Sequence, residues 1–289
     1  MNNVYHYHRL EKDLHDLTRK FPFVRMNVIG QSVLEKNIYE LRIGQGENII
    51  HYNASFHANE WITSQVLMDW LVELLCFYTR EHPLWTEIQL SIVPMVNPDG
   101  VELVHRGTAV AKGIYEVEKM NNYKPDYCGW KANIRGVDLN KQFPANWEQY
   151  RKQTYAEKPF YRDYPGEKPC SEPEAMAMKN LVENNSICRV VALHTQGKEF
   201  YWGYGGNEPE EAKQVASELE KVSCYRGIRD VESHAGFRDW FIMQYKRAGF
   251  TLELGKGINP LPLSQYAEIY RETVPILSAL LTIPIRKEK

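Results

Sequence analysis

The sequence predicts a single α/β domain built on one mixed, open β-sheet flanked by helices. Two apolar runs, 49–56 and 88–96, have the β-branched composition of buried strands. Between them, residues 62–80 repeat large apolar side chains at helical spacing. Strands and helices keep alternating along the chain, and no internal repeat or Gly/Ser linker divides it. We therefore expect residues 1–289 to form one domain.

Shorter signals predict the remaining elements. Residues 171–174, SEPE, combine a serine N-cap, a glutamate three positions on and a proline in the first turn, which predicts a helix that runs to about Asn184. Further strands are expected over 189–193 and 249–254, and further helices over 208–225, 236–248 and 265–282. Two long segments, 106–134 and 144–170, fit no regular element. Segments of this length in a compact domain usually have a functional role, so we expect them to wall a cleft.

The composition limits the partners and the location of the protein. Its 35 basic and 37 acidic side chains give a formal net charge of -2, which provides no electrostatic footprint for nucleic acid or an anionic membrane. No stretch reaches the roughly 20 consecutive apolar residues of a membrane span, and the charged first segment lacks the apolar core of a signal peptide. Five scattered cysteines without a CxxC pair fit a reducing compartment. The expectation is a cytoplasmic protein without nucleic-acid or membrane partners, unless the sequence has lost a leader.

Three residues at predicted strand ends form a candidate metal site. His57 and Glu60 follow strand 49–56 directly, and His194 follows strand 189–193. Ligands bind outside the carboxyl ends of strands in an open α/β sheet, and two histidines with one glutamate are a catalytic zinc set whose fourth position is left to water. The alternatives are a structural HxxE pair and a hydrogen-bonded histidine.

Glu253 adds a candidate general base. It lies within the apolar strand TLEL, where a carboxylate is costly to bury without a partner. A role beside metal-bound water would explain its position, and a buried ion pair is the alternative.

Six motifs together resemble those of the zinc carboxypeptidases related to pancreatic carboxypeptidase A. They are HANEW (57–61), NPDG (97–100), RGVDLN (135–140), SEPE (171–174), LHTQG (193–197) and TLELG (251–255). The resemblance covers about residues 5–283, and the combination is specific although no single motif is. The segments DLNKQFPANW, HTQGKEFYWGYGG and SHAGFRDW are most similar to the bacterial γ-D-glutamyl-meso-diaminopimelate peptidases. Those enzymes cut bacterial cell-wall peptides and include cytoplasmic forms.

The resemblance implies a zinc carboxypeptidase-like fold and a role for each residue of the site. His57, Glu60 and His194 would hold one Zn²⁺, which lowers the pKa of bound water to about 7 and polarises the scissile carbonyl. Glu253 would take the proton of the water and pass it to the leaving amine. Asp138 matches the position that orients the first zinc histidine.

An arginine stabilises the developing oxyanion in that family. Arg135, just before the DLN segment, is the first candidate here, and Lys131 in WKAN is the second. The alternative for Arg135 and Asp138 is an ordinary surface ion pair.

Two departures from the family concern the binding of the substrate's terminal carboxylate. An Asn-Arg pair grips it in true carboxypeptidases, and the matching residues here are Asn140 and Lys141. Lysine is a point charge and cannot form a bidentate fork, which argues against strict exopeptidase recognition. The tyrosine that caps the substrate falls near Val231 in this sequence, and Ser233 or His234 could contribute in its place.

Arg238 matches a position that lines the side-chain pocket in the family and predicts a carboxylate on the substrate. Diaminopimelate and γ-linked D-glutamate each offer a free carboxylate next to the cleaved bond. A pair with Asp239 or Glu232 is the alternative for Arg238.

The sequence therefore predicts a zinc peptidase that cleaves the γ-D-glutamyl–meso-diaminopimelate bond of muropeptide stems. The alternatives are a carboxypeptidase that releases an acidic C-terminal residue, a non-catalytic muropeptide-binding protein of the same fold and a small-molecule deacylase.

Overall fold

The computed structural model describes residues 4–111 and 113–285. In these residues, strands join into one mixed sheet in the order β1-β2-β4-β3-β5-β8-β6-β7. The strands are β1 (Arg25–Gln31), β2 (Asn37–Gly44), β3 (Asn48–Ala54), β4 (Ile88–Val93), β5 (Ile187–His194), β6 (Glu199–Tyr201), β7 (Arg226–Ile228) and β8 (Ala248–Glu253). The helices are α1 (Tyr7–Lys20), α2 (Ile62–Phe77), α3 (Leu84–Glu87), α4 (Pro98–Arg106), α5 (Val117–Met120), α6 (Trp147–Gln153), α7 (Pro173–Glu183), α8 (Glu210–Val222), α9 (Phe237–Tyr245) and α10 (Tyr266–Thr282).

The central strands β4, β3, β5 and β8 run parallel, which brings their carboxyl ends to one edge of the sheet. Ala54 at the end of β3 pairs with Leu193 of β5, and His194 of β5 pairs with Glu253 of β8. The chain leaving β3 reaches His57 within three residues. The register therefore gathers candidate metal ligands and the candidate base at the edge where open α/β sheets bind ligands.

Helices cover both faces of the sheet, and alternate residues of β5 point into two apolar clusters. Val191 and Leu193 belong to the cluster that includes α1, α2, α8 and α10. Val190 and Ala192 belong to the cluster that includes α7 and α9. This alternation is that of a central strand buried on both faces.

The segment 106–134 is anchored by its own apolar cluster. Trp130 is fully buried, and together with Tyr127 and Val110 it packs with Leu103 of α4. This packing fixes the backbone of Lys131, whose carbonyl accepts a hydrogen bond from Ala58 N at 3.0 Å. The long segment thus lies against the turn that holds His57 and Glu60.

The predicted fold class and the central elements are confirmed, with two corrections. The segments 106–134 and 144–170, expected to contain no regular element, include the short helices α5 and α6. The other correction is at the start of α7. The helix begins at Pro173 with Glu172 as the N-cap residue, rather than with Ser171. The Ser171 hydroxyl is instead engaged with Gln142 Oε1 at 3.2 Å and Glu172 Oε1 at 3.2 Å. A tertiary hydrogen bond therefore replaces the expected cap. Within the described ranges, no helix has the length and apolar character needed to cross a membrane.

Candidate metal centre and active site

His57, Glu60 and His194 converge, as the sequence predicts. His57 precedes the short 3₁₀ turn Ala58–Glu60 that leads into α2, and His194 ends β5. His57 Nδ1 lies 3.0 Å from Glu60 Oε1, and His194 Nδ1 lies 2.9 Å from Glu60 Oε2. One ligand atom of each residue lies within 4.8 Å of the others.

This donor set fits zinc. Tetrahedral ligands with zinc bonds of about 2.0–2.2 Å lie roughly 3.3–3.6 Å apart, and the two imidazole–carboxylate contacts here, 3.0 and 2.9 Å, are a few tenths of an ångström shorter. The exposed fractions are 8% for His57, 1% for Glu60 and 2% for His194. Both imidazoles direct Nδ1 at the same buried carboxylate, one at each oxygen, so the donor atoms that would bind a cation already face one another.

Asp138 lies where the sequence predicts an orienting carboxylate. Its Oδ1 is 3.1 Å from His57 Nε2, which leaves Nδ1 of the same ring for a metal ion. Burial opposes the charged form of His57, but Glu60 and Asp138 raise the pKa of its imidazole to about 9. Burial likewise opposes ionisation of Asp138, and His57 nevertheless holds the pKa of that carboxyl well below its usual range. Asp138 is thus a charged, fixed partner of the ring.

Three further groups hold the Glu60 carboxylate in place. Thr195 N donates to Oε2 at 3.2 Å, and Asn259 Nδ2 donates to Oε1 at 3.3 Å. Lys131 Nζ lies 3.2 Å from Oε1. Burial opposes ionisation of Glu60, but His57 and Lys131 lower the pKa of its carboxyl well below the ordinary value. Glu60 is therefore ionised, the form that a metal ion requires of a carboxylate ligand.

Glu253 faces a cavity of about 550 Å³ next to this cluster. Its position opposite His194 in the β5–β8 register brings the carboxylate beside the metal ligands. Burial, followed by the negative charge of Glu60, raises the pKa of Glu253 to about 8. A carboxyl group with a high proton affinity next to a metal position is suited to accept and return a proton.

The structure separates the two candidates for the oxyanion cation. Lys131 lines the same cavity as Glu253 and contacts Glu60. Arg135 does not line that cavity, and its Nη1 pairs with Glu172 Oε2 at 3.5 Å. Arg135 is thus drawn to the start of α7, and the geometry favours Lys131, the second candidate of the sequence, over the first.

Asn140 and Lys141 are held against the segment that precedes α9. Asn140 Oδ1 accepts a hydrogen bond from Phe237 N at 3.1 Å. Lys141 Nζ lies 3.4 Å from Ser233 Oγ and 3.3 Å from the carbonyl oxygen of His234. Asn140 and Lys141, together with the segment 233–238 that they contact, form one surface, which we call the 140/234 wall.

His234 and Arg238 belong to the same wall. His234 Nδ1 lies 3.0 Å from Tyr204 Oη. Arg238 is 4% exposed, and its Nε and Nη2 both contact Asp239. Asp239 is one of the two ion-pair partners expected if Arg238 has a structural role. The Nη1 of Arg238 is buried without a hydrogen-bond partner among the described residues.

Sequence reasoning did not identify Asn259, Thr195 or Arg162 as site residues. Thr195 and Asn259 follow the carboxyl ends of β5 and β8, and this location in the sequence could have identified them as candidates for the site. Arg162 lines the cavity from the irregular segment 144–170, where no periodic pattern indicates which side chain faces inward.

The chain belongs to the zinc carboxypeptidase family, whose model matches residues 10–275. It is a zinc metallopeptidase by this membership, and the described residues supply a ligand set for the zinc of the family.

Two bacterial proteins are similar over most of their length. The chain is 43% identical to γ-D-glutamyl-L-diamino acid endopeptidase 1 of Lysinibacillus sphaericus, over 95% of this chain and 72% of that protein. It is 48% identical to the uncharacterised protein YqgT of Bacillus subtilis, over 95% of this chain and 76% of that protein.

Solved structures share the fold at low sequence identity. Carboxypeptidase A from Helicoverpa armigera has a TM-score of 0.73 and 20% identity, covering 96% of this chain and 72% of its own. Murein-tripeptide amidase MpaA from Escherichia coli O157 has a TM-score of 0.59 and 22% identity, covering 90% and 92%.

Proposed function

We propose that the protein hydrolyses the γ-D-glutamyl–meso-diaminopimelate bond of bacterial cell-wall peptides with the help of one zinc ion. The main support is the 43% identity to an endopeptidase named for γ-D-glutamyl-L-diamino acid bonds. The complete set of His57, Glu60, His194 and Glu253 beside one cavity supports catalysis rather than binding alone.

In this proposal His57, Glu60 and His194 hold the zinc. When bound, zinc supplies a Lewis acid that lowers the pKa of bound water and polarises the scissile carbonyl. Asp138 fixes the ring of His57 through Nε2. Glu253 accepts a proton from the attacking water and returns it to the leaving amine of diaminopimelate.

Lys131 is the proposed partner of the developing oxyanion. Its Nζ lies beside Glu60, and the side chain lines the cavity that Glu253 faces. Burial opposes its charge, but Glu60 and Asp138 raise the pKa of Lys131, so the ammonium group stays protonated. A fixed cation at this position stabilises charge that forms on the carbonyl oxygen.

The 140/234 wall is the proposed binding surface for the diaminopimelate side of the substrate. Arg238 Nη1 is buried without a partner within the described part of the chain, and a substrate carboxylate would satisfy this donor. Asn140, Lys141 and His234 add polar groups on the same wall. A lysine at 141 forms single hydrogen bonds rather than an arginine fork, which favours a substrate whose chain continues beyond diaminopimelate.

The test uses zinc-loaded protein and a set of matched peptides. L-Ala-γ-D-Glu-meso-diaminopimelate-D-Ala should yield L-Ala-D-Glu, and the α-linked isomer should remain intact. A carboxypeptidase for acidic C-terminal residues, the rival activity, would cut the tripeptide that ends in diaminopimelate but would not cut the longer stem internally. Absence of cleavage of any γ-linked peptide would refute the proposed function.

We also propose a cytoplasmic location, in which free muropeptide fragments are the substrates. The support is the set of five cysteines, all of them unpaired. Fractionation of the source cell with an antibody against the protein tests this location, and recovery outside the cytoplasm would contradict it.

A further inference from the structure

The segment Tyr161–Asp163 is pinned to the metal centre from both sides. Tyr161 O accepts hydrogen bonds from Lys131 N at 2.8 Å and Ala132 N at 3.1 Å. Asp163 N donates to Asp138 Oδ2 at 3.3 Å. The backbone of Arg162 is therefore fixed between the oxyanion lysine and the carboxylate that orients His57.

The guanidinium of Arg162 is held in place through one of its three nitrogens. Its Nε lies 2.8 Å from Asp163 Oδ2, and the side chain is 41% exposed where it lines the cavity. Within residues 4–111 and 113–285, Asp163 is the one ion-pair partner of Arg162. The edge of the guanidinium formed by its two terminal nitrogens is therefore left for another ligand. That edge has the geometry of a bidentate carboxylate site. Arg238, in contrast, has two of its three nitrogens on Asp239.

The charge of the cavity favours an anionic ligand. Its lining includes the cations Lys124, Lys131 and Arg162 and one carboxylate, that of Glu253. Lys131 Nζ contacts Glu60 at 3.2 Å and is assigned to the oxyanion, and Lys124 Nζ lies over the ring of Tyr161, 4.7 Å from its centroid. Arg162 is thus the cation that combines a fixed position with an open bidentate edge.

We propose that Arg162 binds the free α-carboxylate of the D-glutamyl residue, on the acyl side of the scissile bond; this rests on the proposed function. In a γ-linked glutamate, the α-carboxylate carbon lies roughly 5 Å from the scissile carbonyl carbon when the side chain is extended. The scissile oxygen points to Lys131, and Arg162 follows the residue whose carbonyl holds the Lys131 backbone. In the α-linked isomer the free side-chain carboxylate lies the same four bonds from the scissile carbonyl, but the amino nitrogen then branches from the carbon next to that carbonyl instead of the carbon next to the carboxylate.

The diaminopimelate carboxylates are assigned to a different surface, the 140/234 wall. Asn140, Lys141 and Arg238 form the 140/234 wall through contacts with residues 233–239. None of the three lines the cavity of Arg162. The two arginines therefore divide the substrate, with Arg162 on the glutamate side and Arg238 on the diaminopimelate side.

The experiment compares two tripeptides that differ in one functional group. L-Ala-γ-D-Glu-meso-diaminopimelate carries the α-carboxylate, and the D-isoglutamine analogue carries a carboxamide in its place. Wild-type protein should prefer the acid by roughly 10- to 100-fold in kcat/KM, the range expected for a charge-assisted hydrogen bond. Arg162→Gln should lose that preference by slowing the acid substrate, with less than about 3-fold change for the amide.

Two controls separate recognition from general damage. Arg19→Gln removes an exposed arginine paired with Asp16 at 2.6 Å on α1 and should keep the wild-type preference. Binding of the acid tripeptide to Glu253→Gln protein, with and without Arg162→Gln, measures the same preference without turnover. Arg162→Lys should keep part of the preference and shows that the site needs charge.

Several outcomes would overturn the inference. Equal rates for acid and amide in the wild type, or an equal loss for both in Arg162→Gln, would remove the assigned role. If Arg162→Gln instead removes a preference for a free carboxylate over an amide on diaminopimelate, Arg162 would have to be assigned to the diaminopimelate side of the bond. Failure of the wild type to cleave the tripeptides and also the stem tetrapeptide would count against the proposed function, and it is thereby distinguished from failure of this inference.

Discussion

Lys131 and Arg135 lie four residues apart in the sequence and meet different partners. Lys131 Nζ contacts the buried Glu60 carboxylate, while Arg135 pairs with Glu172 and is half-exposed. Only the first position faces the cavity with Glu253. At the scale of single residues, this difference decides which cation can act on the substrate.

Lys131→Ala should therefore lower kcat by about 10²- to 10³-fold, the usual effect of removing one group that stabilises an oxyanion. The measurement is steady-state kinetics on the stem tetrapeptide with zinc content matched to the wild type. Lys131→Arg should recover part of the loss because it keeps the charge. Arg135→Ala is the matched control, and we expect little change because a half-exposed ion pair contributes ~0–1 kcal/mol. A larger loss in Arg135→Ala than in Lys131→Ala would reverse the assignment.

The cluster of metal-binding side chains was predictable at this scale; of the cavity cations, Lys131 was named only as the second candidate, and Lys124 and Arg162 were not named. His57, Glu60, His194 and Glu253 lie in or just after apolar strands, so their edge of the sheet follows from the chain pattern. The direction of Lys131, Arg135 or Arg162 depends on how an irregular segment packs. That packing involves Trp130 and contacts distant in sequence, which no local pattern encodes.

At the scale of elements, the first turn of α7 contains a buried acid that stands apart from the catalytic groups. Glu174 is fully buried, with Oε1 accepting from Val33 N at 3.2 Å and Oε2 accepting from Asn133 Nδ2 at 3.3 Å. Burial, together with the negative charge of Asp99, raises the pKa of Glu174 from 4.5 to about 8. The folded protein thus favours the protonated acid.

The raised pKa predicts a definite pH dependence of stability. The stability that protonated Glu174 gives the folded protein is fully present below the ordinary pKa of 4.5. It is lost as the pH rises toward about 8, where the folded state must ionise this buried group. Glu174→Gln mimics the neutral acid and should flatten this part of the curve, so that the variant gains on the wild type between pH 5 and pH 8.5. Urea unfolding of the metal-free proteins at both values measures the difference.

Glu183→Gln provides the control for this change, since Glu183 is exposed on the same helix and pairs with Lys179. It should follow the wild-type curve. An unchanged pH dependence in Glu174→Gln would mean that this carboxyl is ionised in the folded protein.

The elements that the sequence predicted best are those buried on both sides. The parallel strands β3, β4, β5 and β8 are largely buried and rich in apolar residues, whereas β6 and β7 span only three residues each. Strand β1 is largely exposed, so its pairing with β2 leaves little hydrophobic pattern to detect. The start of α7 was misjudged by one residue because the Ser171 hydroxyl engages Gln142 rather than the helix.

For the whole molecule, a metal ion would join the turn after β3 to the end of β5. A ligand that binds only the folded state stabilises it, by about 2.7 kcal/mol at 100 times the dissociation constant. Chelation should therefore lower the melting temperature by several degrees, and added zinc should restore it. Scanning calorimetry with and without chelator measures this shift.

Two variants make the stability test specific for the site. His194→Ala removes a ligand and should make the melting temperature insensitive to added zinc. Glu253→Gln keeps all three ligands and should respond to zinc like the wild type. A chelator effect of equal size in His194→Ala would place the stabilising ion elsewhere in the molecule.

The proposed division of roles is that His57, Glu60 and His194 hold the zinc while Glu253 performs proton transfer. Metal content and turnover of Glu253→Gln, measured side by side with the wild type, test it most directly. We expect one zinc per chain in both proteins and a loss of kcat of about 10²- to 10⁴-fold in the variant. A variant that still hydrolyses the γ-linked stem at the wild-type rate, or a wild-type protein that binds no zinc, would contradict it.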